Sequence, residues 1–211
     1  HLREPTPMTA LKRWTAWPLH AALAALLAGC ASAPPPMLLT LPPAVSPTAA
    51  AAMPAPTAAP RVLAVGRPEI PEYLVARRVR YRAEASTLGE WPDAFWAERI
   101  EVGVGREFNA ALRERLPGWR LCETNCSEQS PAASLQVVLT RMDYVRGERR
   151  LKASGRIMLW STERVPRLLQ GGGFEYDIAG DADTPQSQAA TVTELLRRVA
   201  ADAAASVAKA P

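Results

Sequence analysis

The chain has 211 residues, 48% of them hydrophobic and 22% charged, which is the composition of a globular protein with room for one ordinary domain plus extensions. Its formal charge of +4 brings a nucleic-acid partner to mind, but the basic residues fall in two short sets: Arg77, Arg78, Arg80 and Arg82, then Arg146, Arg149, Arg150 and Lys152. Both lie where strands and a turn are expected, so they read as charged strand edges, with attraction to anionic lipid head groups as the alternative; no nucleic-acid module is present.

In chain order, residues 1–7 precede the expected start at Met8 and carry no inference. Lys12 and Arg13 are followed by an apolar run from Leu19 to Leu27 and by the small residues Ala28 and Gly29 directly before Cys30. That order is the one a secretory signal needs, and the run is too short to span a bilayer, which takes about 20 residues. Leu27-Ala28-Gly29-Cys30 resembles the lipobox of bacterial lipoproteins. The resemblance implies a signal peptide over residues 8–29, cleavage between Gly29 and Cys30, and diacylglycerol and palmitate-type acylation at Cys30. Two or three acyl chains hold firmly, at about 0.8 kcal/mol per buried methylene. Ala31 and Ser32 follow, without an aspartate at the sorting position, which by the same resemblance favours the periplasmic face of the outer membrane.

Residues 30–36 form a tether whose six residues after Cys30 reach at most roughly 20 Å. Met37-Leu38-Leu39-Thr40-Leu41 reads as a short strand, and Pro42 to Pro60, built mostly of Ala, Pro and Thr, as a poorly ordered loop. The folded domain is expected over residues 61–209. Arg61 to Val65 and Tyr73 to Tyr81 read as strands. Trp91-Pro92-Asp93 carries the signal of a helix start, and Ala97, Ile100, Val104, Phe108, Ala111 and Leu112 share one helical face, with Arg99, Arg106 and Arg113 on another. Gly103 and Gly105 predict a kink or break in that helix. Pro117-Gly118 ends it, and Trp119 to Cys122 is a short strand.

Leu135, Val137 and Leu139, then Leu151, Ala153, Ile157 and Leu159, alternate with more polar residues around Arg146-Gly147-Glu148, the pattern of a β-hairpin. Gly171-Gly172-Gly173 predicts a bulge or turn before a strand holding Phe174, Tyr176 and Ile178. Val192, Leu195, Leu196, Val199, Ala203 and Val207 make a second amphipathic helix, with Arg197, Arg198 and Asp202 toward solvent. The fold class is therefore α/β, a mixed α+β single domain: about six strands in a mixed sheet with two helices packed on it.

Both histidines, His1 and His20, precede Cys30, so the expected mature chain lacks the commonest general base and most zinc geometries. No catalytic set and no metal or cofactor is expected beyond the acyl anchor. Cys122 and Cys126 are the remaining thiols; a disulfide closing a small loop is the leading reading, with free thiols or a redox role as alternatives. Glu175, Asp177, Asp181 and Asp183 lack EF-hand spacing and read as a solvated acidic loop.

Met37-Leu38-Leu39-Thr40-Leu41-Pro42 shortly after the lipobox, the stretch from Val65-Gly66-Arg67-Pro68 to Pro71-Glu72-Tyr73-Leu74, Arg77 to Tyr81, and Trp96-Ala97-Glu98-Arg99-Ile100 together resemble the ABC-type transport auxiliary lipoprotein family, the PqiC/YmbA-like lipoproteins. Gly103-Val104-Gly105 departs from the family pattern. The resemblance implies an accessory of an MCE-type system that carries phospholipid across the periplasm. Its implied partners are an MCE-domain protein, the membrane, phospholipid and further copies of itself. It also singles out Pro71, Tyr73, Leu74 and Trp96, for which core and interface readings both stay open. A structural or assembly lipoprotein of the envelope is the rival reading, and a lipid-anchored hydrolase a third, weakened by the missing histidine.

Overall fold

The computed structural model describes residues 35–46 and 60–210. The signal peptide, Gly29, Cys30, most of the tether and residues 47–59 of the Pro/Ala-rich loop lie outside the described residues. Eight strands and two α-helices are present among them: β1 (Met37–Leu39), β2 (Arg61–Val65), β3 (Arg78–Arg82), β4 (Leu88–Trp96), α1 (Ile100–Arg115), β5 (Trp119–Cys122), β6 (Ala133–Val145), β7 (Arg150–Trp160), β8 (Leu168–Ala179) and α2 (Pro185–Ala208).

All eight strands join one mixed sheet organised around β6. Along one edge β6 pairs with β7 antiparallel over its whole length, and β7 pairs in turn with β8. Its other edge is shared between two partners in succession. β2 runs parallel to the start of β6, with Leu63 opposite Ala133, and carries β5 on its far side. β3 meets the far end, with Arg82 opposite Val145, and carries β4 and then β1. The helices pack on each other, and α2 also covers β7 and β8. The apolar stripe expected on α2 is buried throughout, and Phe108, Leu112, Leu195, Leu196 and Val199 form the centre of the core.

The expected hairpin is β6 and β7 around a 3-10 turn at Arg146–Glu148. Leu135, Val137 and Leu139 are buried, but the inward parity then changes, to Met142 and Tyr144. The register steps from Leu139 opposite Gly155 to Arg141 opposite Ser154, so Thr140 is the extra residue of a β-bulge, which flips the phase of everything after it.

Several expectations are corrected, beginning with the number of strands, eight where about six were expected. Trp91-Pro92-Asp93 does not open a helix: residues 88–96 are β4, and α1 begins at Ile100, leaving Ala97 exposed ahead of it. Proline is tolerated there because the register with β3 jumps across it, from Arg80 opposite Glu90 to Arg78 opposite Phe95, while β1 reaches only Ala94 to Trp96. Asp93, at φ 50, absorbs the irregularity. The strand placed at Tyr73 to Tyr81 is a 3-10 turn at Glu72–Leu74 followed by β3; the Leu74 and Val75 amides bond back to the Pro71 and Glu72 carbonyls.

Gly103 and Gly105 do not break α1, which is continuous over 16 residues. They are the places where other segments cross it: a Cβ on Gly103 would lie 3.5 Å from Leu41 Cδ1, and one on Gly105 3.4 Å from Arg67 Cγ. Gly171 to Gly173 form no turn but sit inside β8, opposite Met158, Ile157 and Arg156, on the sheet's outer edge.

Part of the segment expected to be poorly ordered is firmly held. Ala44 is buried, its amide donates to Glu107 Oε2 on α1 at 2.8 Å, and its carbonyl accepts from Arg197 Nε on α2 at 2.7 Å. Thr193 donates to the Pro42 carbonyl at 3.0 Å. Residues 42–45 thus strap the two helices together. Cys122 and Cys126 are joined in a disulfide, Cα atoms 5.6 Å apart, which fastens the end of β5 to the following turn.

Candidate docking face

The turn at Glu72–Leu74 follows a half-buried Pro71 and is fixed from beneath. Arg80 Nη1 donates to the Tyr73 carbonyl at 2.8 Å, and Tyr73 Oη donates to Asp143 Oδ1 at 2.9 Å. Asp143 sits in β6 with its side chain only 8% exposed and accepts two further bonds, from Arg82 Nη2 at 3.0 Å and Arg141 Nε at 3.1 Å. One buried carboxylate therefore ties the turn to β3 and β6. A buried charge is tolerated when its lone pairs are filled by charged donors, as here.

Leu74 and Trp96 face inward together, meeting Ile100, Met142 and Leu151 around a residual void of about 20 Å³. Outside them the turn and the β4–α1 junction enclose an open cleft of about 320 Å³. Val75, Ala76 and Arg77 form one wall, and Trp96 to Glu101 the other. Burial pushes the Glu101 carboxyl up, but its own backbone amide and the Arg99 guanidinium outweigh that and hold it below the usual range. Its Oε2 has no hydrogen-bond partner among the described residues. Exposed Val75, buried Trp96 and charges of both signs line this cleft.

Of the four residues singled out in the sequence, the structure brings Leu74 and Trp96 into contact with one void, places Tyr73 on the Asp143 network and uses Pro71 to enter the turn. Asp143 was not singled out; the only local signal is a carboxylate set between Met142 and Tyr144, both of which point inward.

Six of the eight residues in the two basic sets are ion-paired; Arg77 and Arg149 are not among them. Arg78 and Arg80 pair with Glu90, Arg82 with Asp143, Arg150 with Asp177 and Lys152 with Glu148. Arg146 pairs with Asp183 at 2.9 Å and lies 4.0 Å above the Trp91 ring. The acidic residues read as one loop are divided: Glu175 and Asp177 lie in β8 and Asp181 and Asp183 follow it, with Asp177 and Asp183 paired to arginines. No group of three or more His, Cys, Asp or Glu among the described residues could hold a metal ion.

Tyr73, Tyr144 and Tyr176 all have pKa values above the ordinary 10.0, each chiefly through burial. Asp143 adds to the effect at Tyr73, and a hydrogen bond to Asp202 takes Tyr176 to about 12. The folded chain therefore keeps protons that the unfolded chain releases above pH 10. This stability is intact below pH 10 and is lost as pH rises through about 12. Urea titrations at rising pH should show it, and Tyr176→Phe should flatten the decline; an unchanged slope in that variant would contradict the assignment.

The fold defines the class before any name is attached: an eight-stranded mixed sheet with two helices on it. Two crystal structures share it. An uncharacterized protein superposes with a TM-score of 0.65 at 17% identity, covering 82% of this chain and 99% of its own. Protein XCC0632 from Xanthomonas campestris gives 0.54 at 16% identity, covering 80% and 90%. Among curated proteins no match is found. The family model for the ABC-type transport auxiliary lipoprotein component matches residues 40–204, and the chain belongs to that family.

Proposed function

We propose that this transport auxiliary lipoprotein is anchored in the outer membrane through acylated Cys30 and docks on the periplasmic tube of an MCE/ABC-type system that moves phospholipid between membranes. It works as a docking subunit, not as an enzyme, and forms a homo-oligomer around the tube. The observation that carries this reading is the open cleft between the Tyr73 turn and the β4–α1 junction. Arg77 and Trp96 to Ile100, which lie in stretches that carry the family resemblance, line it together with Val75, Ala76 and Glu101.

The test is capture of an MCE-domain protein by the full-length chain. Ala97 is exposed on the cleft wall, so Ala97→Arg should fill the cleft without touching the core and cut capture by about tenfold. Cys30→Ala should leave capture intact while releasing the chain from membranes. No capture by the original chain, or full capture by a folded Ala97→Arg variant, would remove the docking proposal.

A further inference from the structure

The sheet ends in three strands, and they differ in how they close it. β1 is three residues long and β5 four, lengths that leave little edge for another chain to pair with. β8 runs for 12 residues and pairs only with β7, so its outer row of backbone donors and acceptors faces no strand among the described residues. Long edges are normally guarded by charged side chains or proline. From Leu168 to Phe174, Leu-Leu-Gln-Gly-Gly-Gly-Phe, β8 has neither.

The fold itself gives no reason for the middle of that run. Gly172 has no positive φ, and a Cβ built on it meets nothing within 4 Å, so there is room for a side chain. Glycine weakens a strand interior, and what it supplies in return is bare backbone that a second chain can approach closely. Val165 and Leu168, 74% and 52% exposed, add apolar surface at the start of the same edge.

The charges say which chain fits. Arg164 and Arg167 stand at the start of the edge, Glu175 and Asp177 toward its end. The Arg167–Glu163 and Asp177–Arg150 pairs are exposed and therefore weak, and Arg164 and Glu175 have no ion pair among the described residues. A parallel neighbour of the same kind would set like charges side by side. An antiparallel neighbour matches this edge if it too reads basic, uncharged, acidic along its length, and β8 itself reads in that order.

We propose that two copies of the chain pair edge to edge through β8, antiparallel about a twofold axis at Gly172. Gly172 then faces its own counterpart, Gly171 faces Gly173 of the second copy, and the acidic end of each strand lies beside the basic start of the other. Both copies use the same patch, so the homo-oligomer holds an even number of chains. The proposal rests on the homo-oligomer in the proposed function, to which it gives a surface, and does not involve the docking cleft.

The experiment uses the full-length chain in nonionic detergent, with mild oxidation to trap contacts and light scattering to give the mass. The unsubstituted chain, oxidised in parallel, corrects for native thiols. Gly172→Cys should give a covalent dimer. Glu175→Cys should not, because its counterpart lies about 20 Å away in this pairing. In the Gly172→Cys background, Arg164→Glu with Arg167→Glu should cut the dimer by about tenfold, since like charges then face Glu175 and Asp177. Adding Glu175→Arg and Asp177→Arg should restore it, a rescue that no role within one copy would produce. A monomeric mass for the unsubstituted chain overturns this contact together with the homo-oligomer. An oligomer overturns the contact alone if Gly172→Cys gives no dimer, if Glu175→Cys cross-links equally, or if the second charge reversal restores nothing.

Discussion

Replacing Gly155 by alanine should destabilise the domain by about 3 kcal/mol or more, a large effect for one added methyl group. Gly155 lies in β7 opposite Leu139, at the point where Thr140 is looped out of register in β6. The bulge drives the neighbouring backbone inward: a Cβ on Gly155 would sit 2.2 Å from the Val138 carbonyl oxygen and 3.1 Å from Leu139 Cα. From β8 the Phe174 ring covers the same spot, with Cζ 2.6 Å from that Cβ position. The ring could turn aside, but the backbone can move only by undoing the bulge. Undoing it would shift β6 by one residue and turn Met142 and Tyr144 away from the core. Chemical denaturation of Gly155→Ala measures the loss; a variant within 1 kcal/mol of the original, on the scale of an ordinary surface change, would show that the bulge is soft.

Asp143→Ala should cost about 3 to 5 kcal/mol, because removing one member of a buried charged network strands the others. Arg82, with its side chain 17% exposed, would keep its charge and lose its carboxylate, and Tyr73 would lose the acceptor that fixes the turn. The second consequence is local: with the turn loosened, Leu74 and Val75 lose their fixed place beside Trp96, and the cleft loses a wall. The variant should therefore show a lower denaturation midpoint and, if the proposed docking holds, weaker capture of an MCE-domain protein. Asp143→Asn, which keeps acceptors without the charge, should recover part of the first loss. Should Asp143→Ala unfold at the same denaturant concentration as the original, the network would be ornamental.

How much of this was legible from the residues alone differs element by element. The β6–β7 hairpin was readable because its alternation and turn are local. The parity change at Thr140 was not, since a bulge depends on the facing strand, here on a glycine fifteen positions later. β4 was misread because Trp91-Pro92-Asp93 carries the local chemistry of a helix start. What makes it a strand is long-range: Trp91 Nε1 donates to Gln188, 97 residues away, at 2.7 Å, and Gln188 in turn donates to the Arg80 carbonyl. Gly103 and Gly105 read as weak points because their use, admitting Leu41 and Arg67 against the helix, comes from segments far along the chain.

The site was legible in the same uneven way. Tyr73, Leu74 and Trp96 were visible through short family-like stretches; the structure puts Leu74 and Trp96 at one internal void, Trp96 alone of the three at the cleft, and Tyr73 on the Asp143 network. Asp143 was invisible, because a single polar residue in an apolar element shows nothing until its neighbours in space are known. Arg67 lies in the stretch after β2, but its closeness to Gly105 and its pull on the Glu101 carboxyl are properties of the folded chain.

The arrangement of β6 carries a consequence for the order in which this chain acquires its form. β2 and β3 both depend on β6 for an edge, β4 and β1 depend on β3, and β5 depends on β2. The β2–β5 pair and the β1–β4–β3 group can each form alone, but nothing joins them until residues 133–145 have found their place. Closing such distant pairings delays folding, and a nascent chain of this topology holds unpaired strands through most of its synthesis. Residues 133–145 are what join the strands before them, so truncation that reaches β6 removes more than the residues it deletes.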